Sequence, residues 1–151
     1  MMNWIAIIAM LSLPMFAGFS TEDLRLNYPE AIHQKEICSQ IINELEEKEL
    51  SAVHQAYLGG YQTIWANHVF NPIQKLKTFN KGKKNIDEAV RKDPKNIDIR
   101  FVRLSVQLNC PKFLGYDEHI KEDKQFIKDH LHKISSVKLK EMCQDLITKG
   151  N

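Results

Sequence analysis

The chain has 151 residues, 43% of them hydrophobic, with 21 basic against 19 acidic side chains and a formal net charge of +2. That length suits one domain with its own core, and the near-neutral balance argues against a general preference for polyanions. Cys38, Cys110 and Cys143 form an odd set with no C-x-x-C and no metal-like spacing. Three semi-buried thiols are the plain reading, and one disulfide with a leftover thiol is the alternative.

Residues 1–20 read MMNWIAIIAMLSLPMFAGFS, an uncharged apolar run closed by small residues. The run is short for a membrane span, which needs about 20 apolar residues, and suits the core of a secretory signal peptide. A cleaved leader is the expectation, although its amino-terminal part lacks Lys and Arg. A retained anchor and a buried helix are the alternatives. Removal of this segment leaves residues 21–151 as a single helical domain in a bacterial periplasm or cell envelope, with no integral membrane span.

Ser20-Thr21-Glu22-Asp23 opens a helix as a capping box, with Leu24, Tyr28 and Ile32 inward and Pro29 bending it or starting a new turn. Ile37, Ile41, Ile42 and Leu45 mark the next helix. Glu44, Glu46, Glu47 and Glu49 crowd its end against the dipole, which should fray it. Residues 54–94 hold two amphipathic patterns joined by a break at Asn71-Pro72 and closed by Asp93-Pro94. In the first, Val53, Tyr57, Gly60, Tyr61, Ile64, Trp65 and His68 form one stripe, thinned by Gly59 and Gly60. In the second, Leu76, Phe79, Ile86, Ala89 and Val90 face inward, and Gly82 is explained by close approach of a neighbouring helix.

The spacing Gly82-x3-Ile86-x2-Ala89-x4-Pro94 resembles the second helix of a tetratricopeptide repeat. Leu58-Gly59 matches the first helix, while Trp and Tyr are out of phase with it. The turn, read as residues 69–75, is longer than the repeat allows.

Residues 96–108 alternate like a strand at Ile97, Ile99 and Phe101. As a helix they carry two apolar stripes, Ile97-Phe101-Leu104-Leu108 and Ile99-Val102-Val106. A helix apolar on two sides is sandwiched between layers, and helix is the expectation. Phe113, Leu114 and Tyr116 should tuck a loop onto the helices, with Gly115 permitting its turn. Asp117 should cap the next helix, with Ile120, Phe126, Ile127 and Leu131 inside. Ser135 or Ser136 should cap the last, with Leu139, Met142, Cys143, Leu146 and Ile147 inside and Lys149-Gly150 as its end.

The expected fold is therefore all-α: an α–α superhelix of about three antiparallel helix pairs plus a terminal helix, tetratricopeptide-like. The strings AYLGGYQTIWANHVFNPIQKLKTFNKGKK, NIDIRFVRLSVQLNCPKFLGY and KEDKQFI resemble a family of small exported bacterial proteins of Bacteroidota type, described as tetratricopeptide-like. The resemblance covers roughly residues 21–148. It implies the fold and a Gram-negative envelope, and carries over no catalytic or binding residue.

The middle of the chain is basic and its amino-terminal part acidic. Lys75, Lys77, Lys81, Lys83 and Lys84 form the densest single-sign run. Lys77, Lys81 and Lys84 lie at spacings of four and three on one side of a helix. They are the expected binding face for an acidic protein or lipid surface of the envelope, unless the acidic segment 21–55 already covers it. A solvated helix side is the plainer reading. His68 and Asn71 at the helix break, with Tyr116, are the candidates for a polar ligand-binding or catalytic site. The plainer role for His68 is to satisfy free carbonyls at its own helix end. The six His residues have no zinc-like spacing, and no phosphate loop, G-x-S-x-G or H-E-x-x-H occurs. No aromatic interleaving or recognition helix supports nucleic acid. The reading is a non-catalytic interaction or scaffold module with no metal and no cofactor, partnered by another envelope protein.

Overall fold

The computed structural model describes residues 18–149, which contain seven α-helices and no strand among them. These are α1 (Thr21–Asn27), α2 (Lys35–Glu46), α3 (Ala52–His68), α4 (Pro72–Lys92), α5 (Ile97–Asn109), α6 (Ile120–His130) and α7 (Val137–Thr148). Most of the expected leader, residues 1–17, and the expected end at Gly150 lie outside the described residues. No helix among the described residues is long and apolar enough to cross a membrane.

Local chemistry sets most helix starts. Ser20 and Asp23 make a reciprocal capping box at α1. Ser51 caps α3, Asn71 caps α4 with Pro72 behind it, Asn96 caps α5 and Ser136 caps α7. Pro29 starts a separate 3-10 turn (Glu30–Ile32), which leaves Ile32 exposed instead of inward. The helix after Asp117 begins only at Ile120, and His119 precedes it without a side-chain cap.

α3 lies at the centre and packs against α2, α4 and α5. Nearly every residue from Gln55 to Ala66 is buried, Gln62 and Thr63 included, so the single inward stripe was too narrow a reading. α3 and α4 run antiparallel, with Gln55 bonded to Glu88 and Lys92 while Gly59 faces Gly82. A Cβ at Gly59 would lie 2.5 Å from the Gly82 carbonyl oxygen, and one at Gly82 equally close to that of Gly59. Only glycine lets two helix backbones approach this far. The connecting turn is Val69, Phe70 and Asn71 alone, because Asn71 restarts the helix at Pro72, so it is shorter than the 69–75 expected.

α5 is helical over the ambiguous stretch and buried from Asp98 to Gln107. Two polar clusters fasten it. Asp98 accepts from Tyr57 OH at 2.8 Å and from the Arg25 guanidinium at 2.9 and 2.7 Å. Asp123 of α6, fully buried, accepts from Arg100, from Arg103 twice and from Gln107. The core beside them is aromatic, with Tyr28 set edge-on to Tyr57, Tyr61 and Phe101 at 5.4–5.8 Å. α1 also reaches α7: Ser136 Oγ donates to the Glu22 carboxylate at 2.9 Å, across 114 positions of sequence.

The loop before α6 folds back only in part. Tyr116 is buried and Leu114 half-buried, but Phe113 is 86% exposed. Gly115 takes φ +62°, the left-handed conformation that lets the chain turn there.

Candidate functional site

Six lysines lie along α4, five of them from Lys75 to Lys84, and the core decides what each of the five can do. Phe79, Gly82, Ile86 and Ala89 form the buried line. Leu76, expected inward, is about half exposed. It sits about 60° round the helix from Phe79, in a stretch (residues 72–77) that is wholly exposed. Lys75, Lys77 and Lys84 point to solvent, and among the described residues none of them has an ion-pair partner. Lys81 pairs with Glu46 at the end of α2, a carboxylate that also accepts from Gln62 at 3.0 Å. One expected binding lysine is thus partly neutralised by the acidic segment. Lys83 lies 4.9 Å over the Tyr116 ring.

Two shallow grooves flank this face. One, of about 320 Å³, runs along α4 beside Lys83, Lys84, Asp87 and Arg91. The other, of about 260 Å³, lies between α2, α3 and α4, with Trp65, Gln62, Glu46 and Lys81 in its wall.

His68, Asn71 and Tyr116 do not share a site. His68 Nε2 is 3.0 Å from the Ala31 carbonyl oxygen, so it ties α3 to the 3-10 turn rather than satisfying carbonyls of its own helix. The Asn71 side chain accepts from the Ile73 and Gln74 amides and is committed to the cap. Tyr116 OH donates to Asp87 at 2.8 Å, and its ring stands edge-on to Phe79. Burial, and the Asp87 carboxylate beside it, push the Tyr116 hydroxyl well above its ordinary range.

The other reactive side chains are engaged in similar ways. Cys38, Cys110 and Cys143 are free thiols. Burial pushes those of Cys38 and Cys143 up to about 12, which leaves them protonated at neutral pH. No group of His, Cys, Asp and Glu among the described residues is arranged to hold a metal ion.

Sequence reading missed Asp98, Asp123, Arg100 and Arg103, the most deeply placed charges. A signal was present: two arginines three apart on a helix that is otherwise apolar on both sides need a buried acid. It also missed Phe70 and Ile73, which are 97% and 79% exposed at the start of α4. No protein-family model, no curated protein and no solved structure matches the chain.

Proposed function

We propose that the chain is a non-catalytic protein-interaction module of the bacterial cell envelope, built as a superhelix of tetratricopeptide-like helix pairs. The pairs would be α3 with α4 and α5 with α6. Contact between α3 and α5, the first helices of each, supports that stacking, as does the short α3–α4 turn. One observation carries the binding reading. Lys77 and Lys84 stand exposed on the outward side of α4 with no ion-pair partner among the described residues, while Lys81 beside them already holds a carboxylate. An acidic partner surface would meet the free pair as Glu46 meets Lys81. Exposed pairs contribute only about 0–1 kcal/mol each, so specificity would come from apolar contacts along the same face.

The test is a Lys77→Glu, Lys81→Glu, Lys84→Glu variant. Its helical content and melting should stay close to wild type, with the Lys81 change alone costing up to about 1 kcal/mol. Capture of cross-linked partners from envelope extract should fall, and the residual binding should lose its salt dependence. Unchanged capture overturns the reading. Export is tested by amino-terminal sequencing of the extracted protein, and a chain starting at Met1 in the cytosol overturns it.

A further inference from the structure

Among the described residues seven large apolar side chains are exposed, and three of them, Phe70, Ile73 and Leu76, fall within seven positions. Ile73 and Leu76 are neighbours on α4 at i and i+3, and Phe70 sits in the turn just before. Lys75 and Lys77 flank them. From Val69 to Ile86 the chain carries five lysines and no acid. Acids on elements packed against this end of α3 and α4 are Glu30, bonded to Gln34, and on α2 the exposed Glu36, Glu44, paired with Lys48, and Glu46, paired with Lys81. The tip is therefore apolar in the middle and cationic at its rim.

We propose that this tip docks on an anionic bilayer surface, with Phe70, Ile73 and Leu76 entering the headgroup region and Lys75 and Lys77 meeting lipid phosphates. The proposal goes beyond the protein-partner reading and does not need it.

Charge and shape choose the occupant. The apolar side chains project from a stretch that is exposed throughout, and neither groove is lined by any of them. A partner helix needs a groove to bury its own side chains, whereas a bilayer interface accepts protrusions. A second copy of the chain would set one lysine rim against another. Residues 1–17 hold no Asp or Glu to answer the lysines. The Asn71 cap and Pro72 fix the backbone of the tip, so little order has to be gained on docking.

The experiment places a nitroxide at Ile73→Cys, in a Cys110→Ser background of the full chain, and a second at Glu49→Cys near the opposite end of α3. Vesicles are phosphatidylcholine alone or a 3:1 mixture with phosphatidylglycerol. With anionic vesicles the label at 73 should become more accessible to oxygen than to a nickel chelate, while the label at 49 stays aqueous. Phe70→Ser with Leu76→Ser should lower vesicle partitioning at least about tenfold, and Lys75→Gln about fivefold. Lys84→Gln, more than a turn of helix beyond Leu76, should weaken partner capture and leave vesicle partitioning at the wild-type level, which separates failure here from failure of the partner reading. A label at 73 that stays aqueous on both vesicles overturns the proposal. So does insertion indifferent to lipid charge, which would point to residues 1–17. Dipolar broadening between labels at 73 in a dimer would assign the tip to a second copy instead.

Discussion

At the α3–α4 joint two glycines face each other, and a methyl group on either would meet the other's carbonyl oxygen. At the α5–α6 joint two arginines and a glutamine converge on one buried aspartate. The first joint is close because side chains are missing, and its tolerance for added volume is nil. The second is held by charges that have lost their water, and its tolerance for a missing partner is nil. Antiparallel pairing thus comes from two unrelated solutions, one of shape and one of charge compensation.

The largest expected effect tests the charged joint. Asp123→Ala leaves Arg100 and Arg103, both buried, to share Glu122, which is half exposed and 3.8 Å from Arg103. The change should cost about 3–5 kcal/mol in urea unfolding. A loss under about 1 kcal/mol would mean that Glu122 suffices and the comparison fails.

Gly82→Ala comes next. In an unconstrained helix this change gains about 1 kcal/mol. Here the methyl meets the Gly59 carbonyl, which belongs to backbone and cannot swing away, so a loss of about 1–3 kcal/mol should replace the gain. A stabilised variant would show that the helices part freely and that close approach is incidental.

The smallest effect sharpens the contrast through pH. The hydrogen bond from Arg100 holds the Glu122 carboxyl below its ordinary value of 4.5. A group lowered on folding stabilises fully above its unfolded value, and that contribution is lost as pH falls through the folded one. Glu122 is half exposed, so the loss is small. Urea midpoints measured from pH 6 to pH 3 should fall less steeply in Glu122→Gln than in wild type. Gly82→Ala should keep the wild-type slope.

Much of this contrast could be read only at one of its ends. Gly82 announced close approach because a glycine amid an amphipathic helix needs a reason, and Gly59 supplied the partner. The caps at Ser20 and Ser136 were legible because a cap acts within three or four residues, whereas Asn71, which caps α4, was read as a break and a candidate site residue. The two apolar stripes of α5 foretold its burial. Asp123 was illegible: it stands among Lys121, Glu122 and Lys124 and reads as surface. Its burial depends on arginines 20 and 23 positions away, which local periodicity cannot bring together. His68 and Tyr116 were singled out for their polarity, yet each is occupied by a distant element, Ala31 and Asp87. The exposed Phe70 and Ile73 escaped notice because apolar side chains beside a helix start resemble ordinary inward residues.

The bond between Ser136 and Glu22 bears on how the molecule comes apart and together. An open array of helix pairs can unravel from either extremity, because its terminal units have a neighbour on one side only. Here the first and last of the described helices, α1 and α7, are each other's neighbours, and α1, seven residues long, has little stability of its own. Release of α7 uncovers α1, whose Leu24 carbonyl and Arg25 anchor Tyr61 and Asp98 in the core. Melting should therefore be a single concerted transition without terminal fraying, seen as coincident circular dichroism and tyrosine absorbance curves. The same closure sets the order of completion: wherever the chain folds, α1 cannot seat fully until residue 136 is in place.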